Sequence, residues 1–179
     1  YQEFVDSVMN IDLNHFYSNI NNIQNEIDQA NLLASLKSLN MLNTKYIIYN
    51  YQAAPLVNNQ RYGSAWFVDN IQFVPNANQE IIALRKSNPL QTAVVNEEFK
   101  DKLNGFTPSH NPNSTIELIE QTSKTCTYKV NALKDELAVF SEIYYPKYWK
   151  VTIDGKEVDN LLRANYILRA MMVPKGEHR

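Results

Sequence analysis

The chain has 179 residues, with 17 Lys+Arg against 19 Asp+Glu, a formal net charge of −2 and 44% hydrophobic residues. That length suits one domain or two small ones, and the composition suffices for a core. The near-balanced charge leaves no electrostatic footprint for nucleic acid or an anionic membrane. Its four glycines (Gly63, Gly105, Gly155, Gly176) lie far apart, which excludes the dinucleotide fingerprint and the P-loop. Cys126 is the only cysteine, so an internal disulfide and a four-cysteine zinc site are excluded as well.

No apolar run is long enough to cross a bilayer, and no signal-peptide pattern is present. The chain opens Tyr1-Gln2-Glu3-Phe4 without an initiator methionine, and we read it as a piece of a larger protein. Residues 11–30 carry Ile, Leu, Phe and Tyr at roughly helical spacing, weakened by many asparagines. Residues 31–43 are a stronger helix candidate. Leu32, Leu33, Leu36, Leu39, Met41 and Leu42 form an apolar stripe, with Asn43 as the stop. Residues 44–51 are a short β run rich in Ile and Tyr, and 52–63 carry turn chemistry.

Residues 64–75 predict a strand pair or one bent strand. Residues 76–88 predict a helix capped by Asn76 or Asn78, with Ile81, Ile82 and Leu84 on its buried side. A strand begins at 91–98, and 105–114, with two prolines and no periodicity, reads as a linker. Beyond it the character is β, with strand-like segments at 115–121, 126–132, 137–144, 149–154 and 164–173. Trp149, Val151 and Ile153 alternate against Lys150, Thr152 and Asp154, the period of a half-buried strand. Asp154-Gly155 suits a type I′ hairpin turn. The expected fold is α+β: amino-terminal helices and a small mixed β/α unit over 1–104, then a β-sandwich of jelly-roll or immunoglobulin-like character over 115–179. The closing Val-Pro-Lys-Gly-Glu-His-Arg is turn chemistry that calls for a returning strand, and the sandwich is expected to lack its final one.

Four segments in order carry a resemblance: MLNTKYIIYN (41–50), GSAWFV (63–68), AVFSEIYYPKYWKVTIDGKEV (138–158) and LRANYILRAMMVPKGEH (162–178). Together they resemble the carboxy-terminal extracytoplasmic region of YfhO-type bacterial membrane proteins. These are large polytopic proteins similar to lipid-linked-sugar glycosyltransferases of the cell envelope. The resemblance implies a domain at the outer face of the bacterial cytoplasmic membrane, itself soluble. It would partner its own transmembrane region and work with a glycan or lipid-linked sugar. Two departures stand out. Ser64 replaces a usual Asn, and Tyr-Tyr-Pro-Lys-Tyr-Trp replaces a shorter Tyr-Tyr-Pro-Gly-Trp, placing Lys147 and Tyr148 where the family has one glycine.

No catalytic residue, metal ligand or cofactor is expected in the chain. His15, His110 and His178 are widely separated, and His110 and His178 read as simply exposed. The adjacent acids Glu97-Glu98 and Asp135-Glu136 read as solvated. Cys126, in a strand, has no histidine near it in sequence and reads as structural. Asn113-Ser114-Thr115 matches a glycosylation acceptor by chance. The binding candidates are the aromatics Tyr144, Tyr145 and Tyr148 with Glu142 and Arg163 as hydrogen-bonding partners. The competing structural reading puts Trp149 in the core and the tyrosines over sheet edges, around a corner made by Pro146. Arg169 is expected to pair with Glu142 or Asp154. The alternatives to a binding domain are a purely structural packing domain and, weakly, a free-standing hydrolase. An exposed strand edge also makes self-association an expectation.

Overall fold

The computed structural model describes residues 1–179, and the chain divides into two compact units, Tyr1–Gly63 and Ser64–Arg179. No helix is long and apolar enough to cross a membrane.

In the first unit, α1 (Gln2–Phe4), a π-helical stretch (Val5–Met9), α2 (Asn10–Asn19) and a 3-10 turn (Ile20–Asn22) follow one another. α3 (Glu26–Ser35) starts at Asn25, whose side chain accepts the Asp28 N–H at 2.9 Å. The apolar stripe predicted over 31–43 is broken at Leu36, which leaves helical geometry at ψ 64° before α4 (Lys37–Met41). The turn exchanges one long helix for two that both reach Phe16, in a core of Phe16, Leu32, Leu33, Leu36 and Leu39. Asn43, with φ 56°, stops the helix as expected. β1 (Tyr46–Ile47) and β2 (Leu56–Val57) form a two-residue ladder, much shorter than the run at 44–51 promised.

A buried amide network ties that ladder to the helices. Asn58 Nδ2 donates to Asn40 Oδ1 at 2.8 Å and to the Thr44 carbonyl at 3.0 Å, while Asn40 Nδ2 donates to the Leu33 carbonyl at 2.8 Å. Both asparagines are fully buried. Asp12 accepts the N–H and the hydroxyl of Ser38, each at 2.6 Å.

In the second unit, β3 (Ala65–Val68) and β4 (Asn70–Val74) are consecutive in sequence but belong to different sheets. α5 (Ala77–Lys86) crosses from β4 to β5 (Thr92–Asn96), which pair in parallel. Asn76 caps α5 by accepting the Gln79 N–H at 3.0 Å. Ile81 and Leu84 face inward as expected, but Ile82 is exposed and Glu80 is buried in its stead. A 3-10 segment (Glu97–Leu103) precedes β6 (Thr115–Gln121), β7 (Cys126–Ala132) and β8 (Glu136–Ile143). The chain then forms β9 (Val151–Ile153), β10 (Lys156–Val158), β11 (Leu162–Ala164), β12 (Leu168–Val173) and β13 (Gly176–His178).

The strands order as β11-β12-β8-β3 in an antiparallel four-stranded sheet and β13-β7-β6 in an antiparallel three-stranded sheet. Phe67, Ala138, Met171 and Val173 from the first meet Val130 and Ala132 from the second in one apolar cluster. Val151, Ile153 and Val158 of the β9–β10 hairpin pack against it. Since β3 pairs with β8, residues 64–104 are stitched to the later strands, and the division falls at Gly63/Ser64 where 104/115 was expected.

Three local expectations change. The run 164–173 is not one strand: Asn165 (φ 51°) and Tyr166 (φ 71°) turn the chain between β11 and β12. Loop 105–114 is anchored, because the fully buried Glu136 accepts from the Asn111 N–H and lies 3.2 Å from His110 Nδ1. The His110 ring also stacks on Phe67, with centroids 5.8 Å apart. Finally, the turn at Pro174-Lys175 delivers a strand, β13, that pairs with β7. Gly176 sits there at φ 140°, where a Cβ would lie 2.9 Å from His178 Nε2.

Candidate functional site

The two larger sheets leave a cavity of about 720 Å3 between their facing strands, closed on one side by the β9–β10 hairpin. Strand alternation explains its walls. On β12, Arg169 shares a face with Met171 and Val173, and on β8, Glu142 shares a face with Phe140. β7 adds Cys126, Tyr128 and Val130, and β9 adds Val151 and Ile153.

Arg169 is the electrostatic centre. Its Nη2 lies 3.1 Å from Glu142 Oε2, and its Nε donates to the Ile143 carbonyl at 3.0 Å. Of the two partners the sequence allowed, Glu142 or Asp154, the structure selects Glu142. Arg169 is only 8% exposed, and burial draws its pKa down while the Glu142 charge opposes that. Its guanidinium lies 3.9 Å from the Trp149 ring centroid, a close cation–π contact. Trp149 precedes β9 and is half-buried over this cation instead of sitting in the core. Val151 and Ile153 do face the apolar cluster. The reason is the Tyr145–Tyr148 turn, which holds Trp149 outside the strand ladder.

Cys126 Sγ lies 3.8 Å from Glu142 Oε1, and burial together with the Glu142 carboxylate pushes its thiol pKa up. A nucleophilic cysteine needs the opposite shift. The Tyr128 ring packs edge-on against Phe140, with centroids 5.0 Å apart. The Tyr128 hydroxyl is buried without a hydrogen-bond partner, and its pKa is raised first by burial, then by the charge of Glu142.

At one end of the cavity, Tyr145 and Tyr148 stack with centroids 5.2 Å apart and rings parallel to 1°. They are 49% and 77% exposed. Tyr148 and Trp149 both line the cavity. Tyr144 turns the other way, edge-on to Phe99 at 5.7 Å. Of the five binding candidates, then, Tyr145, Tyr148 and Glu142 gather around the cavity and its neighbouring surface, and Tyr144 packs on the 3-10 segment.

Arg163 lies elsewhere. Its Nη2 is 2.9 Å from Oε2 of Glu80 and 3.8 Å from Oε1 of Glu98. Glu80, fully buried, also accepts the Tyr166 N–H at 2.8 Å. Burial raises the Glu80 pKa, and Arg163 opposes this. This group fastens α5 to the β11–β12 turn, so Arg163 is committed to structure.

The histidines read as exposed are also engaged. His110 sits in the Glu136 anchor, so the acidic pair read as solvated contains one fully buried member. His178 Nδ1 lies 2.8 Å from Asp154 Oδ2, and its Nε2 lies 3.1 Å from the Pro174 carbonyl. Sequence reasoning missed Tyr128 and Arg169 as cavity residues. Their only signal was strand parity, which places them on the faces that the two sheets turn toward each other.

Comparisons with protein-family models, with curated proteins and with solved structures find no match.

Proposed function

We propose that the chain is a non-catalytic extracytoplasmic domain of a YfhO-like polytopic membrane protein, accessory to cell-envelope glycosyl transfer through binding of a glycan or a lipid-linked sugar. The four ordered segments of the resemblance support the parentage. The fold reading that goes with it is a β-sandwich of jelly-roll or immunoglobulin-like character for the carboxy-terminal part. The shared apolar cluster between the four- and three-stranded sheets favours it.

The observation that carries the binding role is the parallel, solvent-facing Tyr145–Tyr148 pair beside a large cavity. Flat aromatic faces offer apolar area at low entropic cost and suit the C–H faces of a sugar ring. A domain that only packs on its own membrane core would present a flat apolar patch instead. Titration of the full 179-residue chain with soluble oligosaccharides, followed by NMR, tests this reading. Tyr148→Ala should weaken binding about tenfold, equivalent to about 1.4 kcal/mol. If no oligosaccharide perturbs the Tyr145 and Tyr148 resonances, the binding role falls and the packing role takes its place.

Self-association through a strand edge is part of the same proposal. β6 and β13 terminate the three-stranded sheet, and β6 carries Glu117 and Glu120, charges that discourage pairing. Light scattering over a concentration series decides the matter, and a monomer throughout removes this element.

A further inference from the structure

Native interiors are packed so closely that voids larger than a water molecule are few. The space between the two sheets breaks that rule. Ile116, Phe140, Val151 and Ile153 all face it and remain only partly buried, although each packs against the apolar cluster. A volume of about 720 Å3 lies within the range of small-molecule sites.

The walls select the occupant. Most charged groups of the lining are already engaged: Arg169 is held by Glu142, the Ile143 carbonyl and the Trp149 ring, His178 by Asp154, Lys150 by Glu157 and Arg179 by Glu120. What remains in the depth of the cavity is the apolar wall of Ile116, Val130, Phe140, Val151, Ile153 and Met171 with one buried, unpartnered hydroxyl, on Tyr128, while Thr125, Thr127 and Thr152 add polar edges. Its raised pKa keeps that hydroxyl protonated and able to donate. A sugar buried there would strand most of its own hydroxyls without partners, at a cost of roughly 1–3 kcal/mol each. A hydrocarbon chain strands none. Lys124 and Lys150 line the cavity and are exposed to solvent, Lys150 lying 3.4 Å from Glu157 Oε2.

We propose that the inter-sheet cavity holds the hydrocarbon tail of a single-chain amphiphile, with the polar head at the Lys124–Lys150 rim and a head or ester oxygen near Tyr128. This site meets the sugar platform at Tyr148, which lines the cavity mouth, but its tail-binding walls and the Tyr128 hydroxyl are not part of that platform.

The test uses the full chain with three ligands below any micelle-forming concentration: sodium dodecanoate, 1-dodecanol and maltotriose. Binding is followed by the NMR shift of the Trp149 indole. Dodecanoate or dodecanol should bind saturably. Ile153→Trp, which fills the cavity from the half-exposed hairpin, should weaken that binding at least tenfold. Tyr128→Phe, which keeps the ring, should weaken it several-fold. Dodecanoate alone binding assigns an anionic head read by the lysines, and equal binding of both assigns a neutral one. Tyr145→Ala, which removes a platform ring that does not line the cavity, should leave tail binding unchanged, which separates this site from the sugar platform. The proposal is overturned if neither chain ligand binds, or if a folded Ile153→Trp protein binds them as well as wild type. Binding of maltotriose alone overturns it too, while leaving the sugar platform standing.

Discussion

The guanidinium of Arg169 lies 3.9 Å from the centroid of the Trp149 ring, and the same group reaches Glu142 at 3.1 Å. Trp149 therefore acts as a cover over a buried ion pair. Truncation of a core tryptophan costs about 3–5 kcal/mol. A half-buried cover should cost less, and Trp149→Ala is expected to destabilise by about 1–3 kcal/mol. Arg169→Ala should cost more, about 2–4 kcal/mol, because it strands the Glu142 carboxylate, whose side chain keeps only 27% exposure. Urea denaturation of the two variants measures both values. A Trp149→Ala loss exceeding that of Arg169→Ala would return Trp149 to the core.

Arg163 is the cation that pairs with the fully buried Glu80, and its removal should be severe. Arg163→Met keeps the apolar stem and deletes the charge, and is expected to destabilise by about 3–5 kcal/mol. Combining it with Glu80→Gln should recover much of that loss, since no buried charge is then left alone. A double-mutant cycle by denaturation reads the coupling. If Arg163→Met is harmless to stability, Arg163 returns to the list of ligand-binding candidates.

His178 and Asp154 clasp the end of β13 to the hairpin turn, and the clasp is pH-dependent. Both His178 nitrogens face acceptors, which only the imidazolium satisfies. The Asp154 hydrogen bond raises the His178 pKa above 6.5, with burial working against it. The His178 hydrogen bond, then the Arg179 backbone N–H, lower the Asp154 pKa below 3.8. The raised group contributes fully below its unfolded value and loses its contribution as pH climbs through the folded one. The lowered group contributes fully above its unfolded value and loses its contribution as pH falls through the folded one. The clasp is thus strongest between about pH 3.8 and 6.5 and fades toward alkaline pH. An NMR titration of the His178 ring should give a pKa above 6.5, returning toward it in Asp154→Asn. A wild-type value at or below the ordinary one sinks the clasp.

The Asn40–Asn58 pair is a buried amide contact with both partners also bonded to backbone carbonyls. Replacing either by Ala leaves buried polar groups unmet, and each change should cost about 1–3 kcal/mol. The double replacement should cost less than the sum of the two, as groups in one network couple. Additive losses would show that the two amides act independently.

What the amino-acid sequence determined is what nearest neighbours along the chain decide. Asn25 and Asn76 start helices because a side-chain oxygen reaches an N–H three residues on. Asn43 stops one because it tolerates positive φ. Asp154-Gly155 turns β9 into β10 with φ 52° and 79°, as a type I′ turn requires. β6 and β7 coincide with their expected spans because alternation over seven residues is a strong local signal. Tertiary structure decided what depends on partners distant in the chain. Glu80 is buried because Arg163, 83 residues later, neutralises it. Glu136 is buried because loop 105–114 wraps its carboxylate. The division fell at Gly63 because β3 pairs with β8 across some seventy residues. The cavity exists only where two sheets face each other, so its lining was spread along the chain in pieces that no local pattern joins. Short-range geometry is written in adjacent residues. Burial of charge and the shape of an interior are set by which distant faces meet.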